Sequence, residues 1–339
     1  MSPIQQLIFS GDANNYELAK QLSASQGLDL QIFAQIEACV VEFNLLTQNN
    51  LLPAELFPRL SGKEQANLCY KSGDLSPNWA VFAPVIETFS LLQHQWEQIP
   101  AIISSWTGLK RLELRNGKLT TIAPWVYELP RLEKLILYNN HFDKVDKEII
   151  KAQNLVELAI TSVHKIQLCG EIAQLPQLKF LSFGGSNLLN EQPIPSVIFD
   201  CERLETLELK GQCFRQIPAN VEKLYNLKHL SLEYCPISRF PRELLMLSKL
   251  ESLELVFLPH SDKLLTQLTH FQRLKRLTFF SDDFSSLQQL PVAEWAFLEE
   301  LNLYGFGFTH FGNQQQQQNQ HVADWVKTQL PHTNVRIYC

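Results

Sequence analysis

The chain has 339 residues with a net charge of −6 and a pI near 5.9, so it carries no basic footprint for nucleic acid or an anionic membrane. Its hydrophobic share of 45% can bury one large core or two ordinary ones. No apolar run reaches the ~18 residues of a membrane-spanning helix, and "MSPIQQLIFSGDANN" lacks the basic start of a secretory signal, although a leader trimmed before Met1 would leave the same start.

The first periodic segment is "NNYELAKQLSASQG". Asn14 or Asn15 can cap it, Leu18 and Leu22 share a helical face, and Gly27 supplies a left-handed stop. Past Asp29, Leu30, Phe33, Ile36, Val40 and Phe43 recur at helical spacing and predict a second helix. A proline- and glycine-punctuated stretch runs from Pro53 to Pro77. Residues 1–85 are therefore expected to form a mainly helical capping region.

From Ile86 onward one phrase, L-x-x-L-x-L, recurs. Its first residue falls at Ile86, Leu109, Leu132, Leu155, Leu178, Leu204, Leu227, Leu250, Leu274 and Leu298, in steps of 23 or 24 with one step of 26. Internal repetition of this kind decides the fold ahead of any local propensity. The second half of the unit recurs too, as Leu119, Ile122, Val126, Leu129 and as Phe214, Ile217, Val221, Leu224. Proline follows at Ile99-Pro100, Ile217-Pro218 and Phe240-Pro241. In an extended strand the fourth and sixth positions point one way and the third, fifth and seventh the other. One short strand per unit then stacks into a parallel sheet, and the remaining residues return across its far side. Proline suits that return, where no ladder hydrogen bond is asked of it.

The pattern resembles the leucine-rich repeat of the 23-residue type over about two thirds of the chain. The resemblance implies an α/β fold: a right-handed leucine-rich-repeat solenoid, a curved horseshoe with a parallel sheet on its concave face and a helical N-terminal cap. The repeat domain would span residues 86–311. "SGDANNYELAKQL…SQG" is similar to a leader helix of leucine-rich-repeat proteins from Bacteroidetes-like bacteria. Such a fold serves many unrelated partners, so the resemblance does not name one.

The departure from the family lies at the ninth position, where an asparagine ladder normally bonds the turn after each strand. Only Asn140 matches; the others are His94, Gly117, Val163, Ser186, Gln212, Cys235, Leu258, Asp282 and Phe306. Cys235 reads as a buried stand-in, and two or three of these residues could make a weaker substitute bond. The units at Leu155, Leu250 and Leu298 are expected to turn differently. The insertion and two prolines in residues 187–199 predict a longer loop or a kink. Residues 312–339 are expected to close the stack. "NQQQQQNQ" reads as a solvated loop, Val322, Trp325, Val326 and Leu330 as a helix, and "NVRIYC" as a final strand.

Chemistry is sparse. "SGKE" at Ser61–Glu64 has Phe57 where a phosphate loop needs glycine, and Gly305-Phe306-Gly307 lacks the third glycine of a dinucleotide site. The nine histidines are isolated, which points to no metal site, and no cofactor is expected. The seven cysteines are odd in number and scattered, which fits reduced thiols in a cytoplasmic protein. Only about 30 residues follow the last repeat, too few for the catalytic cysteine ubiquitin-ligase domain that some bacterial effectors join to such repeats.

What varies over the scaffold is the outward face. Near its start, Arg111, Arg115 and Lys134 form a small basic patch beside Tyr138; local Arg–Glu pairing is the simpler account of it. Further on, Glu208, Glu233 and Glu254 approach one another with His229 among them, a constellation open to cross-strand pairing or to hydrolysis. Tyr234, Phe257, Phe280 and Tyr304 make an aromatic stripe over four units, either covered by the ascending loops or exposed as an anchoring patch. The acidic neighbours would favour a basic partner segment. The leading expectation is a non-enzymatic, cytoplasmic module that binds a protein or peptide on the concave face, with no nucleic-acid or membrane partner. An enzyme using concave carboxylates or the N-terminal region, and a host-directed effector, are the alternatives.

Overall fold

The computed structural model describes residues 2–28, 30–47, 51–60, 75–83, 85–185, 193–211, 214–258, 264–271, 273–281, 284–305 and 313–338. The chain divides into two units, Met1–Glu171 with Leu175–Gln177, and Ile172–Gln174 with Leu178–Cys339.

The first unit opens with helices α1 (Pro3–Ile8), α2 (Ala13–Ser25), α3 (Gln31–Thr47) and α4 (Pro53–Leu60). As its spacing predicts, α3 buries Phe33, Ile36, Val40 and Phe43. In α2 the cap is Asp12 rather than either asparagine: its carboxylate accepts the backbone N–H of Asn14 at 2.8 Å and of Asn15 at 3.0 Å. Gly27 ends the helix at φ 64°. The buried face of α2 is Tyr16, Ala19 and Ser23, while Leu18 is 45% exposed. Tyr16 meets Phe33 edge-on at 5.4 Å, and this contact sets the rotation of α2 in place of the Leu18–Leu22 face. Trp79, in the 3-10 turn Pro77–Phe82, accepts through its carbonyl the indole N–H of Trp106 at 3.1 Å, tying the helical region to the repeats.

The repeat strands of this unit are β1 (Thr88–Leu91), β2 (Arg111–Leu114), β3 (Lys134–Asn140) and β5 (Glu157–Ser162), parallel and in register Thr88–Arg111–Lys134–Glu157. A second, two-stranded pairing joins β4 (Lys144–Val145) to β6 (Gln167–Leu168) on the return segments, which no period-2 signal announced.

The second unit continues the same plan with β7 (Phe180–Gly185), β8 (Thr206–Lys210), β9 (His229–Glu233), β10 (Ser252–Val256), β11 (Arg276–Ser281), β12 (Glu300–Gly305) and β13 (Asn334–Tyr338). All are parallel neighbours in that order, with Phe180, Thr206, His229, Ser252, Arg276, Glu300 and Asn334 in one row. The fourth- and sixth-position leucines, such as Leu230, Leu232, Leu253 and Leu255, are buried, each worth about 2 kcal/mol of burial. Return segments close as 3-10 turns, with Pro195, Pro218 and Pro241 as their first flanking residues. Proline supplies the fixed extended φ there and gives up an N–H that the turn leaves unbonded. At the second position, Glu205, Lys228, Glu251, Lys275 and Glu299 alternate in sign from strand to strand. Lys228 pairs with Glu205 at 2.6 Å and Lys275 with Glu251 at 3.1 Å. Such exposed pairs add little stability, but a shift of one repeat would set like charges opposite each other.

The ninth position explains how a nearly absent asparagine ladder is tolerated. Asn140 donates through Nδ2 to the carbonyls of Leu114 at 3.0 Å and Tyr138 at 3.1 Å, and its Oδ1 accepts from the Leu119 N–H at 3.4 Å. Cys235 Sγ reaches the equivalent carbonyls, Leu209 at 3.3 Å and Glu233 at 3.4 Å. His94 does not substitute: it is fully buried, and among the described residues neither ring nitrogen has a hydrogen-bond partner. Its ring occupies the space left by Gly117, where a Cβ would lie 1.9 Å from His94 Cε1. Ser186, Gln212, Asp282 and Phe306 lie outside the described residues, as does part of the expected 187–199 loop, whose end forms the 3-10 turn Ser196–Asp200.

Asn313–Gln329 is one helix, so the amide-rich stretch expected as a loop is its beginning. Glutamine is a good helix former, and Asn319 is buried with its Oδ1 accepting the Phe284 N–H at 3.2 Å. Val322, Val326 and Leu330 are buried along the same helix.

Candidate functional site

Alternation places Arg111, Glu113 and Arg115 on one face around β2. The Glu113 carboxylate accepts from Arg111 Nη2 at 2.7 Å and from Nε at 3.1 Å, and also from Arg115 Nε. Burial by itself would push the Glu113 carboxyl up; the hydrogen bond from Arg111 and the charges of both arginines outweigh it and hold it below the usual range. Arg115 also lies over the Tyr138 ring, 4.7 Å from its centroid. Lys134 pairs with Glu157 on β5 at 2.6 Å. The structure thus brings Arg111, Arg115, Lys134 and Tyr138 together, but two carboxylates answer the three cations. The patch is a paired surface rather than an open anion site.

In the second unit, Lys210 bridges Glu208 at 3.2 Å and Glu233 at 3.1 Å. His229 Nε2 lies 3.9 Å from Glu254 Oε2. Burial pushes the His229 imidazole down, against the pull of Glu254 and Glu208 and with the help of Arg276. His229 is therefore neutral near pH 7. Among the described residues Glu254 makes no ion pair with a charged group. Lys210 thus holds Glu208 and Glu233 close to each other, while Glu254 stands beside His229. Among the described residues no group of three histidine, cysteine or acidic side chains could hold a metal ion.

An aromatic stripe follows on from this cluster. Tyr234 stacks on Phe257 with centroids 5.0 Å apart and planes 17° apart. Phe257 and Phe280 are 6.4 Å apart and tilted by 47°. Phe280 stacks on Tyr304 at 4.4 Å, and Tyr304 on Tyr338 at 4.3 Å. Tyr338 extends the run to a fifth ring that the pattern of leucines did not bring in; its signal is the register of β13, which pairs Tyr304 with Tyr338. Tyr234 is 42% exposed and Tyr338 44%. Phe257, Phe280 and Tyr304 are half-buried.

Backbone strain marks the same place. A left-handed φ recurs at the eighth repeat position, in Asn116 (49°), Asn139 (54°), Tyr234 (53°) and Phe257 (48°). Asparagine enters this region readily, and a bulky ring does so at a cost of about 1–3 kcal/mol. In the first unit asparagines take this conformation; in the second Gly211 takes a positive φ, and so do the bulky Tyr234 and Phe257.

No family model matches the chain. Over 153 residues, 44% of this chain, it is 28% identical to adenylate cyclase of Schizosaccharomyces pombe, covering 9% of that protein. Over 197 residues, 58% of this chain, it is 27% identical to the human volume-regulated anion channel subunit LRRC8A, covering 21% of it. The chain thus spans about a fifth or less of the length of these curated relatives. Among solved structures, an LRR protein of Leptospira interrogans aligns with a TM-score of 0.49 and 22% identity, over 78% of this chain and 70% of that one. Internalin C2 of Listeria monocytogenes aligns with a TM-score of 0.42 and 18% identity, over 59% of this chain and 83% of that one. The plant peptide hormone receptor RGFR1, in complex with RGF2, aligns with a TM-score of 0.40 and 18% identity, over 79% of this chain and 46% of that one.

Proposed function

We propose that this leucine-rich-repeat chain is a non-enzymatic binding module that takes a protein or peptide on the concave sheet face expected of its repeats. The contact would centre on Tyr234, Phe257, Phe280, Tyr304 and Tyr338. One observation carries the reading: bulky aromatic rings held in a left-handed conformation at Tyr234 and Phe257, where folding alone favours asparagine or glycine. Stacked, partly exposed aromatics are the side chains that concentrate binding energy at interfaces. Glu208, Glu233, Glu254 and His229 form the polar border of that contact. The Arg111, Arg115, Lys134 and Tyr138 cluster is a secondary candidate, since its cations are engaged within the chain. The thiols fit a cytoplasmic setting: Cys39 and Cys201 are free and buried, and burial pushes both up to about 12.

Selection of a displayed random-peptide library on the wild-type protein tests this. Selected peptides should lose about tenfold or more in affinity for a folded Tyr234→Ala/Phe280→Ala/Tyr304→Ala variant, the loss of roughly 1.4 kcal/mol or more expected when anchor rings are removed. Peptides that bind both proteins equally would rule the surface out.

A further inference from the structure

The 3-10 turns of the return segments end at Lys151, Gln174, Asp200, Lys223, Met246 and His270, each four residues before the first leucine of the next repeat. Charge suits this row. Lys151 pairs with Glu128, its counterpart one repeat back, at 2.7 Å, and Lys223 pairs with Asp200 at 2.7 Å. At Met246 the row instead presents an apolar side chain that is 72% exposed, next to Leu245 at 37%. A single exposed apolar residue needs no explanation, but these two stand at the edge of a hollow.

The hollow, in the second unit, has a volume of about 260 Å³. Buried Leu247, Leu250, Phe271 and Leu274 line it together with Leu245 and Met246. It is smaller than the ~300–1,000 Å³ of pockets that hold whole small-molecule ligands, and it suits one bulky side chain. Seating such a side chain removes apolar surface from water on both partners, and the unbranched, flexible methionine adapts to what enters.

The rim is basic. Arg273 lines the hollow and donates from Nη1 to the Ser248 carbonyl at 3.0 Å. Elsewhere the same tie to the preceding repeat is made by a neutral residue just before the leucine. Asn154 donates to the Pro130 carbonyl at 2.8 Å, and Asn226 to the Glu202 carbonyl at 2.9 Å. Asparagine therefore meets the structural need, and Arg273 adds a full charge and further N–H donors. One repeat earlier, Lys249 likewise turns to a neutral group, Asn226 Oδ1 at 2.6 Å. Among the described residues neither cation pairs with a carboxylate, while Glu243 is held by Arg242 and Glu251 by Lys275, each at 3.1 Å.

We infer that this hollow docks an acidic protein segment. The segment seats one bulky apolar side chain among the leucines and sets carboxylates against Arg273 and Lys249. This surface is separate from the aromatic stripe and does not rest on the function proposed for it.

Fluorescence anisotropy on the full chain tests the inference with short labelled peptides. Three carry a central leucine, phenylalanine or tryptophan flanked by aspartates; the controls replace the aspartates with lysines or the central residue with serine. The best aspartate peptide should bind about tenfold tighter than its lysine and serine controls. Arg273→Asn keeps a donor for the Ser248 carbonyl, as Asn226 does for that of Glu202, and should weaken the peptide about fivefold. Met246→Gln places there the residue that Gln174 supplies in its own repeat and should weaken it by about as much. Unchanged urea midpoints show that both variants fold. The Tyr234→Ala/Phe280→Ala/Tyr304→Ala variant should bind the peptide as the wild type does. No binding of any aspartate peptide, equal binding of the lysine controls, or no effect of Arg273→Asn overturns the inference. Binding lost in the triple variant and kept in Arg273→Asn also overturns it, and assigns the peptide to the stripe.

Discussion

His94 makes the stability of the first unit sensitive to pH in a range where carboxylates are still ionised. The imidazole is fully buried beside Trp96, with centroids 5.5 Å apart, and among the described residues has no hydrogen-bond partner for either nitrogen. Burial lowers it from 6.5 to about 4. The unfolded chain therefore binds a proton at higher pH than the folded one, and stability is lost as pH falls from above 6.5 toward 4. The full shift corresponds to about 3.4 kcal/mol, of which about 1.8 kcal/mol falls between pH 7 and pH 5. His94→Leu removes both the titration and two unpartnered nitrogens. It should match or exceed the wild type at pH 7 and lose about 1.8 kcal/mol less on going to pH 5. Urea unfolding followed by tryptophan fluorescence reads the difference directly. His229 is shifted in the same direction, so the comparison uses the slope difference between variant and wild type rather than the wild-type slope alone. Equal slopes for the two proteins, or a His94 resonance titrating near its ordinary value, would refute the reasoning.

Gly117→Ala should destabilise by about 1–3 kcal/mol, because its methyl group would lie 1.9 Å from His94 Cε1; adding His94→Ala should restore most of the loss, as read by the urea midpoint. Cys235→Ala should cost about 1–2 kcal/mol by stripping the Leu209 and Glu233 carbonyls of their donor, and Cys235→Asn should be tolerated because Asn140 bonds the equivalent groups. A thermal melt in which the alanine variant matches the wild type would show that the thiol contacts are incidental.

The strand positions were legible because the leucines carry two periods at once. Alternation within a phrase fixes which residues face the core, and the 23-residue step fixes which strand each phrase pairs with, since a slip of one residue would turn every leucine outward. Cys235 was legible for a related reason: a small buried donor is what the turn requires. The caps and the amide stretch were less so. Asp12 outcompetes Asn14 and Asn15 because its carboxylate reaches two N–H groups at once, and Leu18 yields its place to Tyr16 through the contact with Phe33. Asn319 becomes a helical residue because the Phe284 N–H needs its oxygen, a demand made from 35 residues away.

The stripe divides along the same line. Repeat arithmetic alone put Tyr234, Phe257, Phe280 and Tyr304 on neighbouring strands, and composition alone put Glu208, Glu233, Glu254 and His229 among them. Only the tertiary structure decided that Lys210 satisfies two of those glutamates while Glu254 is left beside a neutral imidazole, and that Arg111 and Arg115 spend their charge on Glu113. It also decided that Tyr338 completes the row and that two of the rings stand on left-handed backbone. The period of a repeat is a property of the chain and is written in it. Ring tilt, partner choice and backbone strain depend on atoms brought together from different repeats, and they exist only once the repeats have stacked.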